Sequence, residues 1–318
     1  MKLEIKEFDR TYGKEAASLF KQSYLEEVYA MPFLPKDEQM MQHINDFATE
    51  LFEHGTGVMA FDDQRLVGYM VGWKVAQLFG PVKGIYSPMI GHSAIKEHRR
   101  MIYSKMLEFG MNSWVSHGYL SFATTILAHD KGLIEEFFIQ GFGMRCVDAI
   151  RKSERIHVSV TDVSVIKATM DDLKDIVSLH QSHTDYYGLS PIFMPRQTED
   201  ALTDLIEWLS EQNHHLWIAK KDQMPIGYIR IQPHGESVVS THSQVMNITG
   251  LYVSEEVRSS GVASKLLDEV QQWLIEQKIH LCGVDFESIN PAAYRFWNRY
   301  FTPYTISVTR RIDERIAQ

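Results

Sequence analysis

Arg258, Gly261 and Ala263 stand just after a short apolar run, in the stretch LYVSEEVRSSGVASKLL (251–267), in a pattern suited to holding an anion. From there Val262, Leu266, Leu267, Val270, Trp273 and Leu274 recur at helical spacing, so the turn is the entrance to an amphipathic helix. The first N–H groups of a helix have no partner within it, and their dipoles favour an anion. Gly261 has no Cβ and lets an anion approach the backbone, Ala263 keeps the next contact small, and Arg258 adds a fixed positive charge. The chemistry is that of a pyrophosphate cradle, placed where a strand feeds a helix.

The elements that must position the cradle occur twice. AFDDQRLVGYM (60–70) matches AKKDQMPIGYI (219–229) at an offset of 159, half of the 318 residues. The same offset carries Gly91 onto Gly250, Arg99 onto Arg258, Phe142 onto Phe301 and Arg151 onto Arg310. A duplicated domain follows, residues 1–156 and 157–318, with the junction near RIHVSVTDVS (155–164). At this offset Gly261 falls on Ile102 and Ala263 on Ser104. A β-branched residue strongly disfavours glycine's backbone angles and crowds an anion, so the first half is expected to lack a working cradle and to serve as a structural, substrate-shaping lobe.

In the second half the pattern predicts a strand at VSVIKAT, a helix at MDDLKDIVSLHQSH, and a helix over TEDALTDLIEWLSEQ with Thr198 as N-cap and Glu199 and Asp200 in its first turn. A hairpin HLWIAKK–DQMP–IGYIRIQ follows, then the strand MNITGLYV, the helix from Val262, the strand HLCGVDFES, the helix PAAYRFWNRY and the strand YTISVTRRI. This order reads as an α+β fold, a mostly antiparallel mixed sheet flanked by helices, in two tandem copies.

With these residues in place, the sequence resembles the GNAT superfamily of N-acetyltransferases, whose acetyl-CoA loop reads Q/R-x-x-G-x-G/A, here Arg258, Gly261 and Ala263. NPAAYRFWNRYF (290–301) is similar to the family's region before its last strands, and the element order agrees over 157–318. The resemblance implies a direct transfer of acetyl from acetyl-CoA to a primary amine. It implies a cofactor site of Leu251, Tyr252, Val253, Arg258, Ser259, Ser260, Gly261, Val262, Ala263, Ser264, Asn290 and Trp297, with the Leu251 and Val253 amides meeting the pantetheine arm. An ammonium with a pKa near ~10.4 costs about 4–5 kcal/mol to deprotonate at pH 7, more than a helix dipole's ~0.3–1 kcal/mol supplies, so a base is needed. Glu287 is the candidate, with Asp285 beside it and Glu255 and Glu256 facing solvent. Trp297 stands where many family members carry an acidic tyrosine, which passes that role to Tyr294, to water or to no group.

The stretch HTDYYGLSPIFMPR (183–196) reads as a loop joining two helices, where family members build the acceptor wall; Asp185, Tyr186 and Tyr187 are expected to hold a cationic amine. No HxxxH or HExxH motif appears among the 14 histidines, so no metal is expected. Cys146 and Cys282 read as small core residues. Hydrophobic residues at 44% and charged ones at 23% describe an ordinary globular chain, and a net charge of −9 disfavours nucleic acid and anionic membranes as partners. A cytoplasmic enzyme acting on a small-molecule or peptide amine is the expectation, and a homodimer is one assembly it admits. Two alternatives stand beside it: a non-catalytic acyl-CoA-binding sensor, and a small-molecule acetyltransferase of the mycothiol-synthase kind.

Overall fold

A computed structural model describes residues 2–196 and 200–317. The chain divides into two compact units, one of Met1–Asp148, Ser237–Val239 and Pro303–Gln318, the other of Ala149–Glu236 and Ser240–Thr302. Both mix helices with a mostly antiparallel sheet. Among the described residues no helix is long and apolar enough to cross a membrane.

The first unit runs β1 (Leu3–Glu7), α1 (Gly13–Ala30), α2 (Glu38–His54), β2 (Thr56–Asp62), β3 (Arg65–Val75), β4 (Gly84–Ser87), β5 (His92–Ala94), α3 (Arg99–Ser116), β6 (Ser121–Leu127), α4 (Lys131–Ile139) and β7 (Gly143–Lys152), the unit boundary falling inside β7. Local chemistry sets the helix starts: Asp37 accepts from the Met40 amide at α2 and Asp130 from the Leu133 amide at α4. Strand β3 pairs antiparallel with β2, β4 and β5, and β4 pairs parallel with β6. The core gathers Ile102, Tyr103, Met106, Phe122, Ile126 and Phe137 around these strands.

The second unit holds β8 (Ser164–Lys167), α5 (Leu173–Gly188), α6 (Ala201–Ser210), β9 (His215–Lys221), β10 (Met224–Pro233), β11 (Val245–Val253), α7 (Val262–Glu276), β12 (Leu281–Glu287) and α8 (Pro291–Tyr300). Strands β8, β9, β10 and β11 pair antiparallel in that order, and β11 pairs parallel with β12. Leu173, Ile176, Leu205, Ile218 and Tyr228 form the core between α5, α6 and the sheet.

Several expectations change. The last strand, β13 (Thr302–Arg311), pairs antiparallel with β6, so residues 303–318 belong to the first unit although their sequence follows the second. The stretch from His183 is no loop: α5 continues to Gly188, so Asp185, Tyr186 and Tyr187 lie on its last turn. Asp200 is the N-cap of α6, its carboxylate accepting from the Thr203 amide, while Thr198 and Glu199 lie outside the described residues. Cys282 is buried but Cys146 is only partly so.

The largest change concerns Ile102. The left-handed N-cap residue of α3 is His98, with φ 59°, and the Ile102 amide donates to its carbonyl at 3.0 Å. The corresponding N-cap of α7 is Gly261, with φ 92°. Ala94 and Val253 close equivalent strand pairs, Gly68 with Ala94 and Gly227 with Val253. Arg99 Nε donates to the Ala94 carbonyl at 3.1 Å, as Arg258 Nε does to Val253 at 3.2 Å. The four residues that form an open turn in the second unit are therefore the first helical turn in the first unit. Ile102 lies inside that turn with 0% exposure, and its Cγ2 would be 2.7 Å from a Cβ at Gly68.

Ile102→Ala should therefore cost about 2–5 kcal/mol of stability in urea unfolding of the full chain. A loss below about 0.5 kcal/mol, the surface value, would contradict a core role.

Candidate active site

The site grows from a strand that loses its partner. β11 pairs with β12 only from Val245↔Leu281 to Ile248↔Val284, while it stays paired with β10 as far as Val253. The β10 register shifts between Arg230↔Gly250 and Ile231↔Ile248, leaving Thr249 as the extra residue of a bulge where the strands part. The Ser254 amide donates to the Ile226 carbonyl, so by alternation Tyr252 and Gly250 bond toward β10. The Leu251 and Val253 N–H groups then point to the open side. In the gap lies a cavity of about 540 Å³.

At one end of the cavity Gly261 turns the chain into α7. No side chain caps the helix, and Val262, Ala263 and Ser264, whose amides are the orphan donors, line the cavity with Arg258 and Ser259. Gly261 is required twice over: its φ of 92° is a left-handed conformation, and a Cβ would lie 2.6 Å from Val160 Cγ2. Ser260 turns its hydroxyl back to the Val257 carbonyl at 2.6 Å and does not line the cavity. The Arg258 guanidinium is held over the Tyr186 ring at 4.9 Å and near Tyr252 at 5.5 Å, which fixes its charge at the mouth.

The far wall comes from β12 and α8. Asp285, Glu287, Asn290 and Trp297 line the cavity. Asn290 caps α8, its Oδ1 accepting from the Ala293 amide at 3.2 Å and from the Tyr186 hydroxyl at 3.4 Å. Trp297 is buried between Phe296 and Phe301. Tyr294 is half-exposed against Phe286 and outside the lining.

On the α5 side, Tyr186 and Tyr187 line the cavity but Asp185 does not; its carboxylate accepts from Gln181 one turn earlier on the outer face of the helix. Arg196 covers the Tyr187 ring at 3.7 Å, so the two ring faces expected to take an amine cation already carry guanidinium groups. His183 also lines the cavity and was not singled out by sequence. Its signal is a one-turn spacing from His180 on a helix face, but its hydrogen-bond partner, Tyr228, lies 45 residues away. Burial, then the charges of Arg230 and Arg196, push the His183 imidazole down to about 3. Among the described residues no three His, Cys, Asp or Glu side chains come together as a metal site.

The first unit closes the same place. His92, at the position of Leu251, reaches across to the Thr125 carbonyl of β6 at 2.8 Å and to the Tyr103 hydroxyl at 2.7 Å. A remnant cavity of about 20 Å³ is left there. In the groove outside it, Arg99 pairs with Glu26 at 3.0 Å and with Asp130 at 2.7 Å, and Glu27 binds His129, so carboxylates neutralise the cationic groups.

Residues 176–301 match the model of the acetyltransferase (GNAT) family. No curated protein matches the chain. A GCN5-related N-acetyltransferase from Sphaerobacter thermophilus superposes with a TM-score of 0.60 at 11% identity, covering 97% of this chain and 95% of its own. A GNAT acetyltransferase from Colwellia psychrerythraea superposes at 0.52 and 12% identity, covering 98% of this chain and 100% of its own. The glucosamine N-acetyltransferase region of a fungal multi-domain GH3 β-N-acetylglucosaminidase superposes at 0.54 and 10% identity, with 96% of this chain spanning 38% of that one. At these identities the structures share the fold.

Two measurements check the site's physics. Gly261→Ala should cost about 1–3 kcal/mol in urea unfolding, because it places a non-glycine residue in a left-handed conformation; an unchanged midpoint would contradict the turn. Burial also lowers His92 to about 4, and His215 is lowered to about 4. Imidazoles that are neutral when folded contribute stability that is present above their unfolded pKa of about 6.5 and lost as pH falls through the folded values. His129, where the opposing effect of burial is outweighed by its bond to Glu27, works in the opposite direction but is one group against four, since burial lowers His180 as well. Thermal stability should therefore fall between about pH 7 and pH 4; a rise would contradict the buried neutral imidazoles. Residues 176–301 form a GNAT-family acetyltransferase domain, built on the sheet of the second unit.

Proposed function

We propose that the chain is an acetyl-CoA-dependent N-acetyltransferase acting on a primary amine through its second unit, while the first unit is a degenerate copy without a cofactor site. The observation that carries this reading is the coincidence, in one cavity, of an unpaired strand edge and an uncapped helix start with Arg258 beside it. The residues present fit the cofactor. A turn whose Cβ would collide with Val160 leaves bare backbone, and the amides of Val262, Ala263 and Ser264 can take a diphosphate. Leu251 and Val253 offer N–H groups to the pantetheine arm and to the thioester carbonyl, and Asn290 and Trp297 flank its thiol end. When bound, acetyl-CoA supplies an activated acetyl group.

The chain's own residues supply orientation and charge. Asp285 and Glu287 put carboxylates on the cavity wall, where they attract an ammonium; Glu287, the nearer to Asn290 in sequence, is proposed to meet it. Tyr186 and Tyr187 shape the acceptor wall through the arginines stacked on them. Tyr294 is outside the cavity lining, so water is the simpler proton source for the departing thiolate.

The test is release of free thiol from acetyl-CoA over a panel of primary amines, paired with calorimetry of coenzyme A binding. Turnover with any amine supports the enzyme. Tight binding without turnover across a broad panel would favour the acyl-CoA sensor. Arg258→Ala should weaken coenzyme A binding about tenfold, the worth of one charged hydrogen bond, and unchanged affinity would contradict the cradle.

A further inference from the structure

The carboxylates of Asp285 and Glu287 stand on one wall of the cavity; another wall is the end of a hydrogen-bonded chain. His183 Nδ1 meets the Tyr228 hydroxyl at 2.7 Å, the same hydroxyl meets His180 Nδ1 at 2.9 Å, and His180 Nε2 meets Asp204 Oδ2 at 2.6 Å. His180 and His183 share a face of α5, and Tyr228 rises between them from β10 with 0% exposure. Asp204 on α6 has a side chain 45% exposed, so the chain runs from the cavity to water.

Its direction follows from the acceptor at its end. An ionised carboxylate only accepts, so His180 Nε2 carries the hydrogen and His180 Nδ1 is a lone pair. Tyr228 then donates to His180, and its oxygen accepts from a protonated His183 Nδ1. What remains is His183 Nε2, a lone pair on a residue lining the cavity, with no hydrogen-bond partner among the described residues. We propose that His183 is the base that takes the amine proton, and that Tyr228 and His180 pass the charge to Asp204 and water. The inference rests on the acetyltransferase reading above.

The bonds balance. An ammonium N–H breaks as Nε2–H forms on His183; Nδ1–H breaks as O–H forms on Tyr228; the old Tyr228 O–H breaks as Nδ1–H forms on His180; Nε2–H breaks as the Asp204 carboxyl gains a proton and yields it to water. The reverse shift, drawing a proton from water at Asp204, hands the His183 Nε2 hydrogen to the cavity water that protonates the departing thiolate, and so resets the chain. The amine's second N–H proton leaves to water. A relay suits this place because an imidazolium would not survive in it. The groups facing His183 are Arg230 and Tyr228 on β10, Tyr252 on β11, Arg258 in the loop before α7, Arg196 beyond α5, and His180 and Tyr187 on α5 itself. Three of these are permanent cations. Burial holds His180 low as well and raises the Tyr228 hydroxyl, so the positive charge comes to rest only at Asp204. Glu287 keeps its proposed part, drawing the ammonium into the cavity.

Nitrogen-15 NMR of the histidines in the full chain tests the direction. His183 should carry its hydrogen on Nδ1 and His180 on Nε2, both neutral near pH 7; the opposite tautomers, or an imidazolium, would overturn the relay. Tyr228→Phe, with the fastest amine of the panel, should lower kcat at least ~10-fold near neutral pH. The KM for acetyl-CoA should stay within about twofold, and the deficit should close toward about pH 10, where the amine is its own free base. A deficit equal at all pH values would mark Tyr228 as structural and overturn the relay alone. Absence of turnover with every amine would instead overturn the acetyltransferase reading on which it rests.

Discussion

The structure of the site depends on the parting of two parallel strands. While β11 and β12 stay paired, from Val245 to Ile248, the backbone satisfies itself; past the bulge at Thr249, β11 is held only from the β10 side and presents N–H groups to a cavity. Such groups are costly to bury without a partner, so the open edge is a demand for a ligand with its own acceptors. The α7 N-terminus adds orphan donors at one end of the same gap, where Gly261 lets the chain turn without covering them. Everything else that lines the cavity is arranged around this edge.

The first unit shows what the same scaffold does when the demand is withdrawn. There the strand is broken into β4 and β5, His92 bridges to the β6 backbone with a side chain, and the helix begins one turn earlier, so that the stretch corresponding to the Arg258–Gly261 turn is wound into α3. Arg99 keeps the bond that its counterpart Arg258 makes to the strand end, but it pairs with two carboxylates, Glu26 and Asp130, where Arg258 pairs with one, Glu255. The split between the strands shrinks to a cavity of about 20 Å³, beside an open groove of about 1180 Å³ lined by Arg99, Arg100, Glu26 and Asp130. A cradle is lost here by helix extension and charge neutralisation together, and the isoleucine is a member of the core rather than an obstacle in a pocket.

Much of the fold was legible because it is local. The hairpin β9–β10, the start of α7 and the whole of α8 follow from periodicity, turn residues and caps within a few positions. The glycine turn was legible for the same reason. What failed was non-local or a matter of a single turn. The continuation of α5 through Tyr187 is set by packing of His180, His183 and Thr184 under the sheet, which outweighs the polar, aromatic look of the segment. The α3 start moved because the two halves differ by a helical turn there, a difference the constant offset conceals at Ile102. The placement of β13 beside β6 depends on a pairing across some 180 residues. The chain His183–Tyr228–His180–Asp204 joins three elements, and no spacing along the sequence announces it.

Hydrogen exchange with and without coenzyme A, read by mass spectrometry on the full chain, tests the central claim most directly. The amides of Leu251, Val253 and Val262 to Ser264 should slow when the ligand is present, while those of Arg99 to Ile102 exchange as before. Protection of the α3 start, or no change at either helix, would contradict an anion held by the open strand edge and the uncapped α7 turn.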